Sequence, residues 1–288
     1  MRIPTAFAEE IARREGDAGR AWLAELPALA ARYCREWQLS PDGEPMHGCL
    51  GVVLPVTRAD GSPAALKLTR VDAETRGEPV ALSTWHGSGS VLLLESAPGV
   101  LLLERLDPTR TLAVEPIGAA VEIAARLLRR LAVPAPASIR RLPAARLAEE
   151  LPAKWRRLGE PIPRRLLDAA VQVCRDSRPG SLLVNEDLHY ENVLAGTREP
   201  WLVIDPKPVA GDPEFGVIPL LWNRMTESTV DAKFAVIVAA AGLDAGRARA
   251  WTLVRGVQNW LRSLEYGGFP GPARLAAITC WAAGSNSL

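Results

Sequence analysis

Strand-like and helix-like patterns are segregated along this 288-residue chain, and the change falls at Asp107-Pro108. Before it, Val52-Val53-Leu54-Pro55-Val56 and Ala64-Ala65-Leu66-Lys67-Leu68 flank the turn Asp60-Gly61-Ser62-Pro63, which reads as a hairpin. Residues 91–94 and 100–104 add two strands around the turn Ala97-Pro98-Gly99. A short helix is predicted over 72–85, carrying Glu74 and Glu78, with Pro79 in its first turn or kinking it. Between Thr5 and Trp37 the residues Phe7, Ile11, Trp22, Leu23, Leu26, Leu29, Ala30 and Tyr33 recur at helical spacing, which predicts an N-terminal helical extension broken near Gly16. After Pro108 helical patterns dominate, over 117–131, 142–158, 164–175, 213–223, 230–241, 245–266 and 272–281. The expectation is an α+β chain of two lobes: 1–106, with its helical extension over 1–40, and a mainly helical 107–288.

Composition narrows the function. Almost half of the residues are hydrophobic, enough for a sizeable core, and 34 basic against 33 acidic residues leave no global field for nucleic acid or an anionic membrane. The longest strongly apolar stretch, 234–243, is about half of the ~20 residues a bilayer span needs. The first 16 residues carry Glu9, Glu10 and several arginines where a secretory signal needs an uninterrupted apolar run. Four scattered cysteines and three histidines suggest no metal cluster and read as reduced thiols. A cytoplasmic monomer without nucleic-acid or membrane partners is expected.

One segment, 181–212, interrupts the helical half, and loops on a rigid scaffold are where chemistry tends to sit. It holds Asn185-Glu186-Asp187-Leu188-His189-Tyr190-Glu191-Asn192 and then, after a hydrophobic run, Ile204-Asp205-Pro206-Lys207. An Asp and an Asn five apart, with a second Asp thirteen further on at a strand end, match the catalytic loop and metal-binding Asp of protein-kinase-like folds. Phosphoryl transfer from ATP needs a carboxylate to orient a hydroxyl and take its proton, and hard oxygen ligands to hold Mg²⁺ against the phosphates. Asp187 fits the first role, Asn192 and Asp205 the second. Upstream, Lys67 on a strand and Glu78 on the next helix stand in the order of a phosphate-binding lysine and its partner carboxylate. Gly48 and Gly51 precede them and suit either a loop covering the phosphates or an ordinary hairpin turn. The backbone around Glu104 and Leu106, where the patterns change, is the candidate adenine-binding hinge.

With these residues in view, Asp187-Leu188-His189-x-x-Asn192 followed by Trp201-Leu202-x-Ile204-Asp205-Pro206-Lys207-Pro208-x-x-Gly211-Asp212-Pro213 resembles the aminoglycoside phosphotransferase superfamily, nearest its streptomycin 6-kinase and hydroxyurea phosphotransferase branch. The segments 60–67, 101–106 and 124–131 support the likeness, which covers roughly 37 to 225. The resemblance implies a two-lobed protein-kinase-like fold that moves the γ-phosphate of ATP, with Mg²⁺, to a small-molecule hydroxyl. It carries over Asp187 as base, Asn192 and Asp205 as metal ligands, and Lys67 with Glu78 as phosphate clamp. Asp212 follows only seven positions after Asp205, which leaves no room for a long activation segment and favours a small acceptor.

The chain also departs from that pattern. The family's usual His-Gly-Asp is Asn185-Glu186-Asp187 here, so a bracing side chain is exchanged and a carboxylate stands beside the base, where it can change how the base titrates. Asp212 is expected to brace the catalytic loop, and His189 to pack and hydrogen-bond. Lys207 suits a phosphate or a nearby carboxylate equally. A cationic aminocyclitol such as streptomycin, the acceptor expected first, calls for an acidic cleft, for which Glu186, Glu191, Glu214 and Glu265 are candidates. Hydroxyurea, a sugar or another small alcohol, or a nucleotide-binding pseudokinase, are the alternatives. Trp222 and Trp260 are core by default and otherwise pocket lining.

Overall fold

A computed structural model describes residues 1–48, 51–72 and 75–284. They form two compact units, Met1–Asp107 with Gly196–Arg198, and Pro108–Ala195 with Glu199–Leu288.

The first unit opens with α1 (Thr5–Glu36), whose helix is interrupted at Gly16, where φ is +59°. Strands β1 (Ser40–Pro41), β2 (Met46–His47), β3 (Gly51–Thr57) and β4 (Pro63–Thr69) follow. Then come the helix α2 (Glu78–Trp85) and strands β5 (Leu93–Ala97) and β6 (Val100–Glu104). The strands make one antiparallel sheet in the order β1-β3-β4-β6-β5, with β2 on β3. Helix α1 is an integral layer rather than an appendage: Phe7, Ile11, Leu23, Leu26, Ala30 and Tyr33 share one core with Val52, Leu54, Val56, Leu66, Leu68, Val100 and Leu102. Period-two alternation puts Leu66 and Leu68 on that covered face and Lys67 on the other, opposite Val53 and Leu101 in register. Leu26 is fully buried at this contact. Leu26→Ala is expected to lower unfolding stability by about 2–5 kcal/mol in denaturant titration, the usual cost of emptying a leucine site.

Two expectations shift here. The strand placed at 91–94 lies at Leu93–Ala97, because the Leu92 amide donates to the Glu104 side chain (2.8 Å) instead of entering the ladder. The helix placed at 72–85 begins as a 3-10 turn, Thr75–Gly77, with Pro79 in the first turn of α2; Ala73 and Glu74 lie outside the described residues.

The second unit is not helical from its start. A strand, β7 (Asp107–Thr111), comes first and joins a small sheet ordered β10-β9-β7, with β9 Val193–Ala195 and β10 Leu202–Val203. Helices α3 (Ile117–Leu131), α4 (Ala144–Arg157) and α5 (Arg164–Asp176) precede β8 (Leu182–Asn185), which pairs with β11 (Pro208–Gly211). β11 is invisible in the sequence because it begins on a proline, which lacks the amide of a ladder residue. The helix expected over 213–223 is a 3-10 turn, Pro213–Gly216, and a short α6 (Ile218–Trp222). Helices α7 (Val230–Ala241), α8 (Ala245–Tyr266) and α9 (Pro272–Ala282) complete the unit. Helices α8 and α9 approach so closely that a Cβ on Gly256 would stand 2.4 Å from Thr279 Oγ1. Trp222 and Trp260 are both buried. Among the described residues no helix is long and apolar enough to cross a membrane.

Candidate active site

In the first unit, Lys67 and Glu78 meet: Nζ lies 2.5 Å from Oε1, and both side chains are almost wholly buried. The strand supplies Lys67 on the face away from α1, and the first turn of α2 supplies Glu78. Gly48 and Gly51 flank the connection between β2 and β3, the Gly48 amide donating to the Gly51 carbonyl (3.0 Å); Cys49 and Leu50 lie outside the described residues. A Cβ at Gly51 would stand 2.5 Å from Thr69 Cγ2, so packing against β4 already demands glycine there. The Glu104 side chain accepts from Leu92 and pairs with Arg198 (2.6 Å), whose guanidinium also donates to the Gly87 and Ser90 carbonyls. Leu106 follows the end of β6 and is half-buried.

In the second unit the β8–β11 register sets Asn185 opposite Pro208 and so brings Lys207 beside the turn that holds Asp187. Asn185 is buried, and its Oδ1 accepts from the backbone N–H groups of Asp187 (3.1 Å) and Lys207 (3.0 Å). The Glu186 amide donates to the Lys207 carbonyl (3.0 Å). The residue that departs from the family pattern thus does brace the loop, by accepting two amides. A Cβ on Gly216 would lie 2.9 Å from the Asn185 carbonyl, so the backbone packs tightly behind it. The neighbouring carboxylate of Glu186 is paired with Arg140, and the Asp187 carboxylate with Lys207, Nζ to Oδ2 3.0 Å.

Asn192 donates its Nδ2 to the Asp187 carbonyl (3.4 Å), and its amide Oδ1 has the character of a hard donor. Its carbonyl accepts from the Ile204 amide (2.9 Å), so the segment carrying Asn192 is tied to the one carrying Asp205. Asp205 has φ +48°, an uncommon conformation for a residue with a Cβ and one that concentrates at functional sites. A carboxylate and an amide oxygen suit Mg²⁺, which takes one or two protein ligands and the rest from phosphates and water. Among the described residues no group of three or more His, Cys, Asp and Glu could hold a metal without a ligand's help.

Several supporting residues escaped the sequence reading. Arg255, buried on α8, donates through Nη1 to the Glu186 carbonyl (2.8 Å) and the Phe215 carbonyl (3.0 Å). Asp212 accepts from the Gly180 amide (2.8 Å) and the Trp251 indole (2.9 Å), so it anchors the approach to β8 and helix α8 rather than the catalytic loop itself. His189 Nδ1 is buried without a hydrogen bond among the described residues and stands 3.9 Å from Glu191, so it packs rather than bonds. Of the four candidate cleft carboxylates, Glu186 is paired with Arg140 and Glu265 with Lys154 and Arg157. Glu214 is buried and accepts from the Asp244 amide, and Glu191 alone is exposed.

Behind the loop, Tyr190 is buried with its hydroxyl donating to the Leu220 carbonyl (2.9 Å), and burial pushes its phenol upward. Lys233 of α7 is buried beside it, 5.9 Å from the ring centroid, and donates to the carbonyls of Leu221, Asn223 and Arg224. No motif marks a lysine that caps carbonyls this way; the chain holds only four lysines, Lys67, Lys154, Lys207 and Lys233, and that scarcity is the one signal the sequence offers. Burial pushes its ammonium down to about 8. Between that value and about 10.5 in the unfolded chain, the unfolded state holds the extra proton, so stability rises with pH across the window. Chemical denaturation of the wild type against Lys233→Met is expected to show the wild type gaining up to about 3 kcal/mol relative to the variant from pH 8 to 10.5.

The chain is similar to known proteins over most of its length. The family model described as aminoglycoside/hydroxyurea antibiotic resistance kinase matches residues 36–267. A hydroxyurea phosphotransferase from Kitasatospora aureofaciens is 46% identical over 288 residues, covering 96% of this chain and 85% of the relative. A streptomycin 6-kinase from Streptomyces griseus is 43% identical over 284 residues, covering 93% and 92%. Among solved structures, an aminoglycoside phosphotransferase APH(4)-Ia in ternary complex with AMP-PNP and hygromycin B superposes with a TM-score of 0.60 at 18% identity, covering 86% of this chain and 95% of that one, which shows a shared fold.

Proposed function

The chain belongs to the aminoglycoside/hydroxyurea antibiotic resistance kinase family and is a small-molecule phosphotransferase, and we propose that it moves the γ-phosphate of ATP, with Mg²⁺, to a hydroxyl of an antibiotic. The observation that carries this reading is the braced turn in which Asn185 fixes the backbone of Asp187 while Asn192 and Asp205 are tied together by the Asn192–Ile204 hydrogen bond. When bound with ATP, Mg²⁺ neutralises phosphate charge and holds the phosphates for in-line transfer.

The residues divide the remaining work. Lys67, held by Glu78, offers its ammonium to the α- and β-phosphates. Glycines 48 and 51 cover the phosphates, and the backbone at Glu104 and Leu106 receives the adenine. Asn192 Oδ1 and Asp205 are the protein's metal ligands. Asp187 orients the acceptor hydroxyl and takes its proton, a contribution of roughly 10²- to 10⁴-fold for a well-placed base.

Streptomycin and hydroxyurea are the leading acceptors, as substrates of the named relatives. Engagement of Glu186, Glu214 and Glu265 by the protein's own groups favours the second, uncharged one, because a polycationic aminocyclitol draws on free carboxylates. Coupled measurement of ADP formation with Mg²⁺ across streptomycin, hygromycin B, hydroxyurea and simple sugars tests the proposal. Acceptor-dependent ADP release with an antibiotic supports it; ATP binding with no release for any acceptor points to a nucleotide-binding pseudokinase instead.

A further inference from the structure

We propose that Lys207 is the positioning residue of the base: its ammonium holds one carboxylate oxygen of Asp187 so that the other faces the acceptor hydroxyl. The inference rests on the kinase reading above and assigns a part to a residue whose sequence signal was divided between phosphate and carboxylate. The geometry decides for the carboxylate. Nζ stands 3.0 Å from Asp187 Oδ2, and the two side chains are 28% and 29% exposed, shielded enough for the pair to be ordered and open enough for a substrate to arrive.

Both ends of the pair are fixed independently of the side chains. The Asp187 and Lys207 amides share one acceptor, Asn185 Oδ1, and the Glu186 amide donates to the Lys207 carbonyl. Two residues after Lys207 the chain is locked in β11, with Val209 opposite Val184. With both backbones fixed, only side-chain rotation is lost when the pair forms, and the partial burial of both side chains limits that rotation. An aspartate has two rotatable bonds, and a reacting group displaced by about 1 Å costs on the order of 10²-fold in rate.

In the transfer, the acceptor O–H proton passes to the free oxygen of Asp187. The bond from the acceptor oxygen to the γ-phosphorus forms as the bond from that phosphorus to the β–γ bridging oxygen breaks, and ADP leaves with the electron pair. Lys207 stays an ammonium throughout and exchanges no proton. Its contribution is the direction of the carboxylate, and it acts through Asp187.

Lys207→Met tests this, because the backbone hydrogen bonds of residue 207 survive the change and only the ammonium is lost. The wild type and variant are compared for steady-state turnover with the acceptor found active, for ATP affinity by titration, and for Tm. The expected result is kcat lower by roughly 10²-fold, with nucleotide Kd within about twofold and Tm unchanged. Lys207→Arg should recover at least about tenfold of the loss, since a guanidinium still reaches the carboxylate. A variant that binds ATP weakly but keeps its kcat overturns the proposal and makes Lys207 a phosphate contact. A variant equal to the wild type overturns it as a solvated pair. A wild type that phosphorylates no acceptor overturns the kinase reading, and the positioning role falls with it.

Discussion

Asp187→Ala is expected to lower kcat by roughly 10²- to 10⁴-fold while leaving ATP affinity within about threefold. The split follows from where the residue sits. Its backbone is held by Asn185 and its carboxylate by Lys207, and Asn192 touches it only through the carbonyl, so alanine leaves the peptide hydrogen bonds of the turn in place. On the proposed reading, nucleotide binding draws on Lys67, Asn192 and Asp205, which the substitution leaves untouched. The partly exposed carboxylate is not a core group, so Tm should change little. Rapid-quench measurement of the phosphorylated acceptor reads kcat, and titration of ATP reads affinity. Equal losses in both would place Asp187 in nucleotide binding instead of proton transfer.

Lys67→Met is expected to act on both stability and nucleotide binding. Removing the lysine leaves the Glu78 carboxylate, almost wholly buried, without its ammonium 2.5 Å away, and breaking such a pair from one side costs about 3–5 kcal/mol. Loss of stability alone would say nothing about phosphates, so the informative partner is the double variant Lys67→Met with Glu78→Gln. It no longer buries an uncompensated charge and should regain most of the stability, since replacing both members of a buried pair is often close to neutral. ATP affinity should stay low in the double variant. Recovery of ATP affinity together with stability would reduce the pair to a structural role.

The pair Lys67 and Glu78 was legible because the physics is local: a hairpin strand, a short connection and a helix start put two residues eleven apart face to face. Asp187, Asn192 and Asp205 stood out as candidates for a similar reason, each read from a spacing within the segment 181–212. What brings them into order did not. Asn185 looked like a lost brace because its two partners are chosen by the β8–β11 register, and β11 was hidden behind Pro208. Arg255 reaches the Glu186 carbonyl from a helix 69 positions away, a distance no periodicity encodes. Glu186 looked like a neighbouring charge that would disturb the base, and Arg140 neutralises it from another element. Helix α1 was recognised as a helix, yet only packing reveals it as the layer that covers the sheet.

The most direct test of the account is product analysis. Purified protein is incubated with ATP, Mg²⁺ and either hydroxyurea or streptomycin, beside Asp187→Ala, and the acceptor is examined by phosphorus NMR. One phosphoryl group on an acceptor oxygen, formed by the wild type and lost in the variant, is the predicted result. ATP bound and recovered unchanged by both proteins, with no phosphorylated acceptor, would contradict the claim that this site transfers phosphate.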